Sequence, residues 1–224
     1  MYAQDYPGAY SRGADLETAK AKMQAELSSY SRWIGIPLPE EMETEIVFDV
    51  PSDLNIADAD SDVLFPSETK PLTVEEYMSL KALALRSAEN FYQMYQAVPD
   101  KKHLISPRRK TFYGHLPCTA EEMYQHTKNV NSYYFGEIGI DADNCGTILE
   151  CRLRGFQALE DTPDYLLSTQ INGSFNEVWS VRKVLRRFIW HDRIHAKAMY
   201  RRSVAAFGPG SVPDIFYFEQ KKQE

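Results

Sequence analysis

A long amphipathic segment near the C-terminus constrains the fold of this chain more than any other feature. Apolar residues and histidines recur there at alternating steps of three and four, which is the spacing of one face of an α-helix. Gly208-Pro209-Gly210 follows the pattern and predicts its end. We therefore predict a helix from Glu177 to about Phe207. Its inward face would carry Val181, Val184, Phe188, His191, His195 and Ala198.

Three further amphipathic helices are predicted between Pro71 and this segment. Two of them open on a capping box, in which a threonine and a glutamate three residues later satisfy the first backbone amides. A polar, basic loop over residues 99–110 separates the first two. Four helices of this length favour a four-helix bundle. The three helices are expected after Thr73-Val-Glu-Glu76, from Thr119-Ala-Glu-Glu122 to about Ile138, and from Asn144 to Leu159.

The first 70 residues follow a different pattern and predict a small α+β module. Two strand-like stretches, Met1 to Gln4 and Ala9 to Arg12, flank a turn, and Glu45 to Val50 is a third strand candidate. Asp15 is placed to cap a helix from Leu16 to about Trp33. We thus predict a module over residues 1–70, a mainly α four-helix bundle over 71–207, and a tail over 208–224 in which residues 215–218 could dock as a short strand.

Composition narrows the functional classes. The formal net charge of −7 argues against a basic surface that covers the fold and binds nucleic acid, although a local basic patch remains open. The three cysteines lack zinc-type spacing, so we interpret them as reduced thiols. No apolar run approaches the roughly 18 residues that span a membrane, and Met1 to Gly13 has no apolar signal-peptide core. These features predict a cytoplasmic protein.

Three of the five histidines fall on predicted inward faces. His191 and His195 are four residues apart on one helix, so their side chains lie one above the other. His126 shares a stripe with Met123, Val130 and Tyr133 on the second helix of the bundle. The simpler alternative is a set of core histidines held by ordinary hydrogen bonds. Burying three imidazoles together costs several kcal/mol unless their lone pairs are satisfied. A metal ion bound by His126, His191 and His195 would satisfy them, and the pattern alone leaves both alternatives open.

Three neutral imidazoles would leave one coordination position open. A catalytic zinc site has this form, with three protein ligands and a water of lowered pKa. Zinc or nickel is the preferred ion, and iron or manganese would also accept imidazole. Asp192 could accept a hydrogen bond from a ligand N–H. The alternative is a solvated or salt-bridged carboxylate beside Arg193.

Two stretches of the chain resemble a known family. Thr119-Ala-Glu-Glu-Met-Tyr-Gln-His126 resembles the second-helix motif of the DinB/YfiT-like bundle proteins, and the segment from Trp179 to His195 resembles their fourth-helix motif. The similarity covers about residues 72–207. It implies a four-helix bundle whose metal ligands are His126, His191 and His195. It also implies a metal-dependent enzyme acting on a small molecule, with transfer of a low-molecular-weight thiol preferred over hydrolysis.

The N-terminal part is similar to the HicB-like motif. Asp5-Tyr-Pro-Gly8, Ser11-Arg-Gly13 and the helix that follows carry the similarity, although the strand that normally precedes the turn is missing or very short. The resemblance implies a scaffold or dimerisation element, and both families imply a homodimer. It leaves a second hypothesis open, in which the chain is a non-catalytic interaction module and any metal is structural or vestigial.

Local basic clusters are a further signal. We interpret the cluster on the last helix as a solvated helix face. The alternative is that some of these side chains bind an anionic group of a substrate near the metal. His115 and Tyr113, in the loop before the second helix of the bundle, could line the mouth of the site. The clusters are Arg108-Arg109-Lys110 and Arg182, Lys183, Arg186 and Arg187.

Two other signals favour ordinary structural roles. Asp58-Ala-Asp60-Ser-Asp62 imitates the start of a calcium loop, but Val63 and Thr69 stand where such a loop needs glycine and glutamate. We interpret it as a solvated acidic loop. Cys118 lies just before a helix start, where a thiol pKa can be lowered. We favour the alternative, an apolar contact with Met123.

Overall fold

The structure is a computed structural model that describes residues 1–51, 63–108, 110–111 and 114–219, and it is mostly helical. Within this part of the chain, five α-helices are joined by loops, short 3-10 turns and two small hairpins. The helices are α1 (Leu16–Ile34), α2 (Val74–Ala97), α3 (Ala120–Gly136), α4 (Ile148–Glu160) and α5 (Val181–Phe207). The hairpins pair β1 (Lys110–Thr111) with β2 (Gly114–His115) and β3 (Ile171–Asn172) with β4 (Val178–Trp179).

The last four helices pack around a common apolar core. Helix α2 contacts both α4 and α5, and α3 contacts the same two helices from the other side. The predicted helical fold and the predicted inward face of α5 are thereby confirmed for Val181, Val184 and Phe188. None of the described helices is long and apolar enough to cross a membrane. Side chains buried at the centre include Ala84, Phe91, Phe135, Phe156 and Phe188.

The predicted helix caps are only partly confirmed. The backbone amide of Glu76 donates to Thr73 Oγ1 at 3.1 Å, and the Glu76 carboxylate accepts from the Thr73 amide at 2.8 Å. Thr119 caps α3 by accepting from the Glu122 amide. The return bond predicted for that box is wrong, because the Glu122 carboxylate accepts from the amide of Cys118 instead.

Three predicted helix bounds are wrong by two to four residues. Helix α3 ends at Gly136 rather than Ile138. Helix α4 begins after Thr147, whose hydroxyl and backbone amide form a reciprocal box with Glu150, so residues from 144 to 147 remain outside it. Helix α5 begins after Ser180 rather than at Glu177. The cause in the last case is β-pairing, since residues 178–179 form the second strand of the β3–β4 hairpin.

The first 51 residues contain one confirmed helix and less β-structure than predicted. Asp15 Oδ1 accepts from the Thr18 amide at 2.7 Å at the start of α1, and Gly35 ends the helix with a φ of 77°. The two predicted N-terminal strands are reduced to one bridge between Tyr2 and Tyr10. The strand predicted at Glu45 to Val50 is wrong. Its apolar side chains are exposed, so no described strand or core covers them.

The N-terminal turn lies directly on α5. Gly8 has a φ of 90°, and a Cβ atom there would come within 2.5 Å of Ile189 Cγ2. Only glycine allows both this backbone conformation and this close approach. The Tyr30 hydroxyl donates to the Pro7 carbonyl at 2.9 Å and fixes the turn to α1. Side chains from residues 1–70 and from the helices that follow thus share one core. The predicted domain boundary near residue 70 stays a prediction.

Buried ion pairs join α5 to the first part of the chain. Arg193 contacts Glu26 of α1 at 2.7 Å, and Arg186 pairs with Glu68. Lys183 contacts Glu177 at 2.8 Å. The prediction of a solvated basic face is therefore wrong for Lys183, Arg186 and Arg187, which are all buried. The carboxylates that neutralise Arg186 and Arg193 lie more than 100 residues away in the chain.

The C-terminal segment packs against α1. Phe216 is fully buried, and its ring centroid lies 5.3 Å from that of Trp33. Ser29 donates to the Phe216 carbonyl at 2.8 Å. The segment docks as predicted, but in a turn conformation rather than as the predicted strand. The acidic loop predicted around Asp58 lies outside the described residues.

Replacing Glu26 should destabilise the fold strongly. The change Glu26→Gln leaves the buried guanidinium of Arg193 without its carboxylate, and breaking such a pair costs about 3–5 kcal/mol. Urea denaturation measures this loss. Glu17→Gln is the matched control, because Glu17 pairs with Lys20 on the exposed side of the same helix and should change stability little. Equal, small losses in both variants would contradict a structural role for the buried pair.

Candidate metal centre

Helices α3 and α5 bring the three predicted histidines together. His191 and His195 lie one turn apart on α5, with their Nε2 atoms 3.2 Å apart. The ring of His126, on α3, has its centroid 5.0 Å from that of His191 and 4.7 Å from that of His195. One potential ligand atom from each ring lies within 4.8 Å of the other two. The predicted convergence is confirmed.

The three rings differ in their burial. His191 is buried, whereas His195 and His126 are partly accessible. The stripe predicted on α3 is only partly confirmed, because Val130 and Tyr133 are also partly accessible. The most buried face of α3 is displaced around the helix from this stripe. His126 thus lies where α3 leaves the core, and His191 is the most deeply buried of the three. Buried residues of that face are Tyr124, Thr127, Asn131, Tyr134 and Phe135.

The surroundings keep the two α5 histidines neutral. Burial lowers the pKa of His191 well below 6.5, and the neighbouring imidazoles and the Arg187 and Arg152 guanidiniums lower it further. Burial and the proximity of His126 do the same to the pKa of His195. A metal ion binds imidazole only in its neutral form. At neutral pH these two side chains are therefore in the protonation state that coordination requires.

The geometry of the donor set fits a metal ion. Nitrogen ligands of a tetrahedral zinc lie about 3.3–3.4 Å apart, given bonds of about 2.0–2.1 Å. The distance of 3.2 Å between the two Nε2 atoms is close to this value. His191 Nδ1 is buried and meets no hydrogen-bond partner among the described residues. A metal ion on the facing Nε2 atoms would leave this nitrogen unchanged, so the fit of the donor set depends on the distance between the two Nε2 atoms. In the described part of the chain, no cysteine, aspartate or glutamate joins the three histidines.

A buried ion pair lies next to His191 on α5. Asp192 accepts from Arg152 of α4 at 2.7 and 3.3 Å and from the Ser87 hydroxyl of α2 at 2.6 Å. Asp192 accepts from these two residues rather than from a ligand N–H, so the first proposed environment is wrong. The salt-bridged alternative is confirmed, whereas the solvated one is wrong because Asp192 is fully buried. The triad fixes the turn of α5 that carries His191 against two other helices.

A cavity of about 270 Å³ reaches His126 from the surface. We call it the entry cavity. His115 lines it, as predicted, whereas Tyr113 and Arg109 lie outside the described residues. Sequence reasoning missed the two α3 side chains Glu122 and Gln125. The available signal was that Glu122 precedes His126 by one helical turn. The lining residues are Arg108, His115, Leu116, Pro117, Glu122, Gln125 and His126.

Cys118 is a buried thiol at the start of α3. Its Sγ donates to the Glu122 carboxylate at 3.0 Å, and this bond raises the pKa of the thiol. The less favoured alternative, an activated thiol, is therefore wrong, because a neighbouring carboxylate opposes the effect of the helix N-terminus. The alternative contact with Met123 stays a prediction.

No protein-family model, curated protein or solved structure matches this chain. The resemblances to the DinB/YfiT-like and HicB-like families consequently stay predictions.

Stability of the metal-free protein should fall as the pH drops below about 6.5, the ordinary pKa of histidine. Below that value the unfolded chain binds protons that His191 and His195 exclude in the folded state. Stability therefore falls by up to about 1.4 kcal/mol per pH unit for each histidine, and this loss is absent above pH 6.5. Urea denaturation of chelator-treated protein between pH 7.5 and 5.5 measures the slope.

The variant His191→Gln provides the control for this measurement. Because it removes one of the two excluded protons, its stability should depend less steeply on pH over the same interval. An identical slope in both proteins would show that His191 is not held neutral by burial.

Proposed function

We propose that this protein is a metal-dependent enzyme with a divalent transition metal on His126, His191 and His195. The observation that carries the proposal is the convergence of three imidazole ligand atoms within 4.8 Å, on two helices of the core. Zinc or nickel is the preferred ion, with iron or manganese next, because all four accept imidazole nitrogen. Both histidines of α5 are held in the neutral form that binds metal.

The ligand set supports a catalytic rather than a closed structural site. Structural zinc sites have four protein ligands, whereas catalytic sites have three and keep one position for substrate or water. Among the described residues, only these three histidines form such a group. The entry cavity gives a small molecule access to His126. When bound, the metal supplies Lewis-acid activation of a thiol or a water.

Transfer of a low-molecular-weight thiol is the reaction that we favour, and hydrolysis is second. In this reaction the thiol loses its S–H proton to a base or solvent, and its sulfur forms a bond to an electrophilic carbon of a second substrate. The bond from that carbon to its leaving group breaks at the same time, and the leaving group departs with the electron pair and takes up a proton from the base or solvent. The three histidines hold the ion, the Asp192–Arg152 pair fixes the helix that carries two of them, and the entry cavity admits the substrates. Resemblance of the two histidine motifs to the DinB/YfiT-like bundle proteins supports this proposal.

The protein should take up one equivalent of zinc or nickel. Three variants each remove one ligand: His126→Ala, His191→Ala and His195→Ala. Loss of a residue that only supports a ligand weakens metal binding roughly 10- to 100-fold. Loss of a ligand itself should weaken the metal affinity by more than this. Titration with a competing chromophoric chelator measures these affinities. His103→Ala is the matched control, since His103 packs against Phe207 outside the cluster and should leave the affinity unchanged. Uptake below about a tenth of an equivalent by the parent protein would refute the site.

Turnover separates the enzyme from a protein with a structural metal. Metal-loaded protein should consume a small thiol together with an electrophile, and His191→Ala should abolish this activity while the chain remains helical by circular dichroism. The non-catalytic alternative predicts that the same variant changes only thermal stability, and that the parent protein is also inactive.

A further inference from the structure

We infer that the entry cavity binds a small zwitterion of the α-amino acid class, with its carboxylate on Arg108 and its ammonium on Glu122. This inference deepens the proposed function and rests on it for the role of the cavity as a substrate site. The observation behind it is that one cavity beside a proposed metal ligand is lined by both a guanidinium and a carboxylate.

Glu122 is held in a defined orientation at the cavity wall. Its Oε2 accepts from the Cys118 amide at 2.8 Å and from the Cys118 thiol at 3.0 Å. These bonds lower the pKa of Glu122, so the carboxylate is charged at neutral pH. The Thr119 amide also acts on this carboxylate and lowers its pKa. Both bonds from Cys118 go to Oε2, which leaves Oε1 with acceptor capacity. It can therefore accept from an ammonium group without disturbing the contact that orients the side chain.

Arg108 faces the same cavity without pairing with Glu122. Arg108 and Glu122 line the same cavity of about 270 Å³, and this proximity places the two opposite charges within electrostatic reach. The described residues nevertheless contain no ion pair between them, so their charged atoms are more than 4 Å apart. Opposite charges separated across one cavity can each pair with the complementary group of a ligand that lies between them.

Charge and size together restrict the ligand. A molecule with only a carboxylate would meet the repulsion of Glu122, and one with only an ammonium would meet that of Arg108. A volume of about 270 Å³ lies just below the roughly 300–1,000 Å³ of pockets that hold drug-sized ligands. Leu116 and Pro117 offer apolar contacts for a short carbon chain. A zwitterion bound in this way can direct its side chain, such as a thiol, towards His126.

Three small thiols test the inference because they differ only in their charged groups. L-cysteine has both groups, cysteamine lacks the carboxylate, and 3-mercaptopropionate lacks the ammonium. Calorimetric titration of both metal-loaded and chelator-treated protein should show L-cysteine binding roughly tenfold more tightly than either truncated thiol, as expected for one additional charge-assisted contact. Equal affinities for the three thiols would overturn the inference.

Two variants assign each charge to its partner. Arg108→Gln should remove the preference for L-cysteine over cysteamine, and Glu122→Gln should remove the preference over 3-mercaptopropionate. Glu150→Gln is the matched control, since Glu150 also caps a helix start but lies outside the cavity, and it should keep both preferences. If either variant lowers the affinity for all three thiols equally, the inference is also overturned.

The metal-free titrations keep this inference distinct from the proposed function. Discrimination among the three thiols without any uptake of metal would support the zwitterion site and refute the metal centre. Normal uptake of metal with no discrimination would refute the zwitterion site alone.

Discussion

The burial of charged side chains along α5 is the constraint on which the rest of the structure depends. A buried charge is tolerated only when an opposite charge and hydrogen bonds compensate its lost hydration. Arg186 and Arg193 obtain this compensation from Glu68 and Glu26, both contributed by the first part of the chain. At Asp192 the buried group of α5 is negative, and Arg152 of α4 compensates its charge. Helix α5 is thus enclosed on several sides by the elements that neutralise it.

This enclosure explains why one side of the candidate site is buried and the other side is accessible to solvent. His191 is next to Asp192 in the chain, and its surroundings are apolar enough to hold its imidazole neutral. His126 lies on the edge of α3, where the core meets the entry cavity. Because the supporting side chains are held by packing and ion pairs, the two α5 histidines are positioned without any bound ion. Preorganisation of this kind is what a functional metal site requires.

Local sequence signals were sufficient to predict the helices and the histidine cluster. The three-four spacing of α5 places His191 and His195 on one face whatever the rest of the chain does, and Asp15 and Thr73 mark helix starts by a bond to an amide three residues later. The same spacing cannot reveal partners far away in the chain. Lys183, Arg186 and Arg187 resemble a solvated face until their buried partners and aromatic neighbours are known.

Features that depend on non-local contacts were the ones that sequence reasoning missed. A strand needs a partner, and the apolar stretch around Phe48 has none among the described residues, so its β-propensity is not realised. Val178 was predicted as helical, but pairing with Asn172 holds it in a hairpin. The entry cavity is lined by Arg108 and His115 together with three side chains of α3, and no local pattern relates the first two residues to that helix. Helical spacing alone would have suggested Glu122, and only the folded loop shows that Arg108 faces it.

Anomalous X-ray diffraction from crystals grown with one equivalent of zinc tests the central claim most directly. A single peak is predicted about 2.0–2.1 Å from one ring nitrogen of each of His126, His191 and His195, with a remaining position open to a non-protein ligand. Absence of the peak, its appearance elsewhere on the chain, or a fourth protein ligand that closes the site would contradict the account.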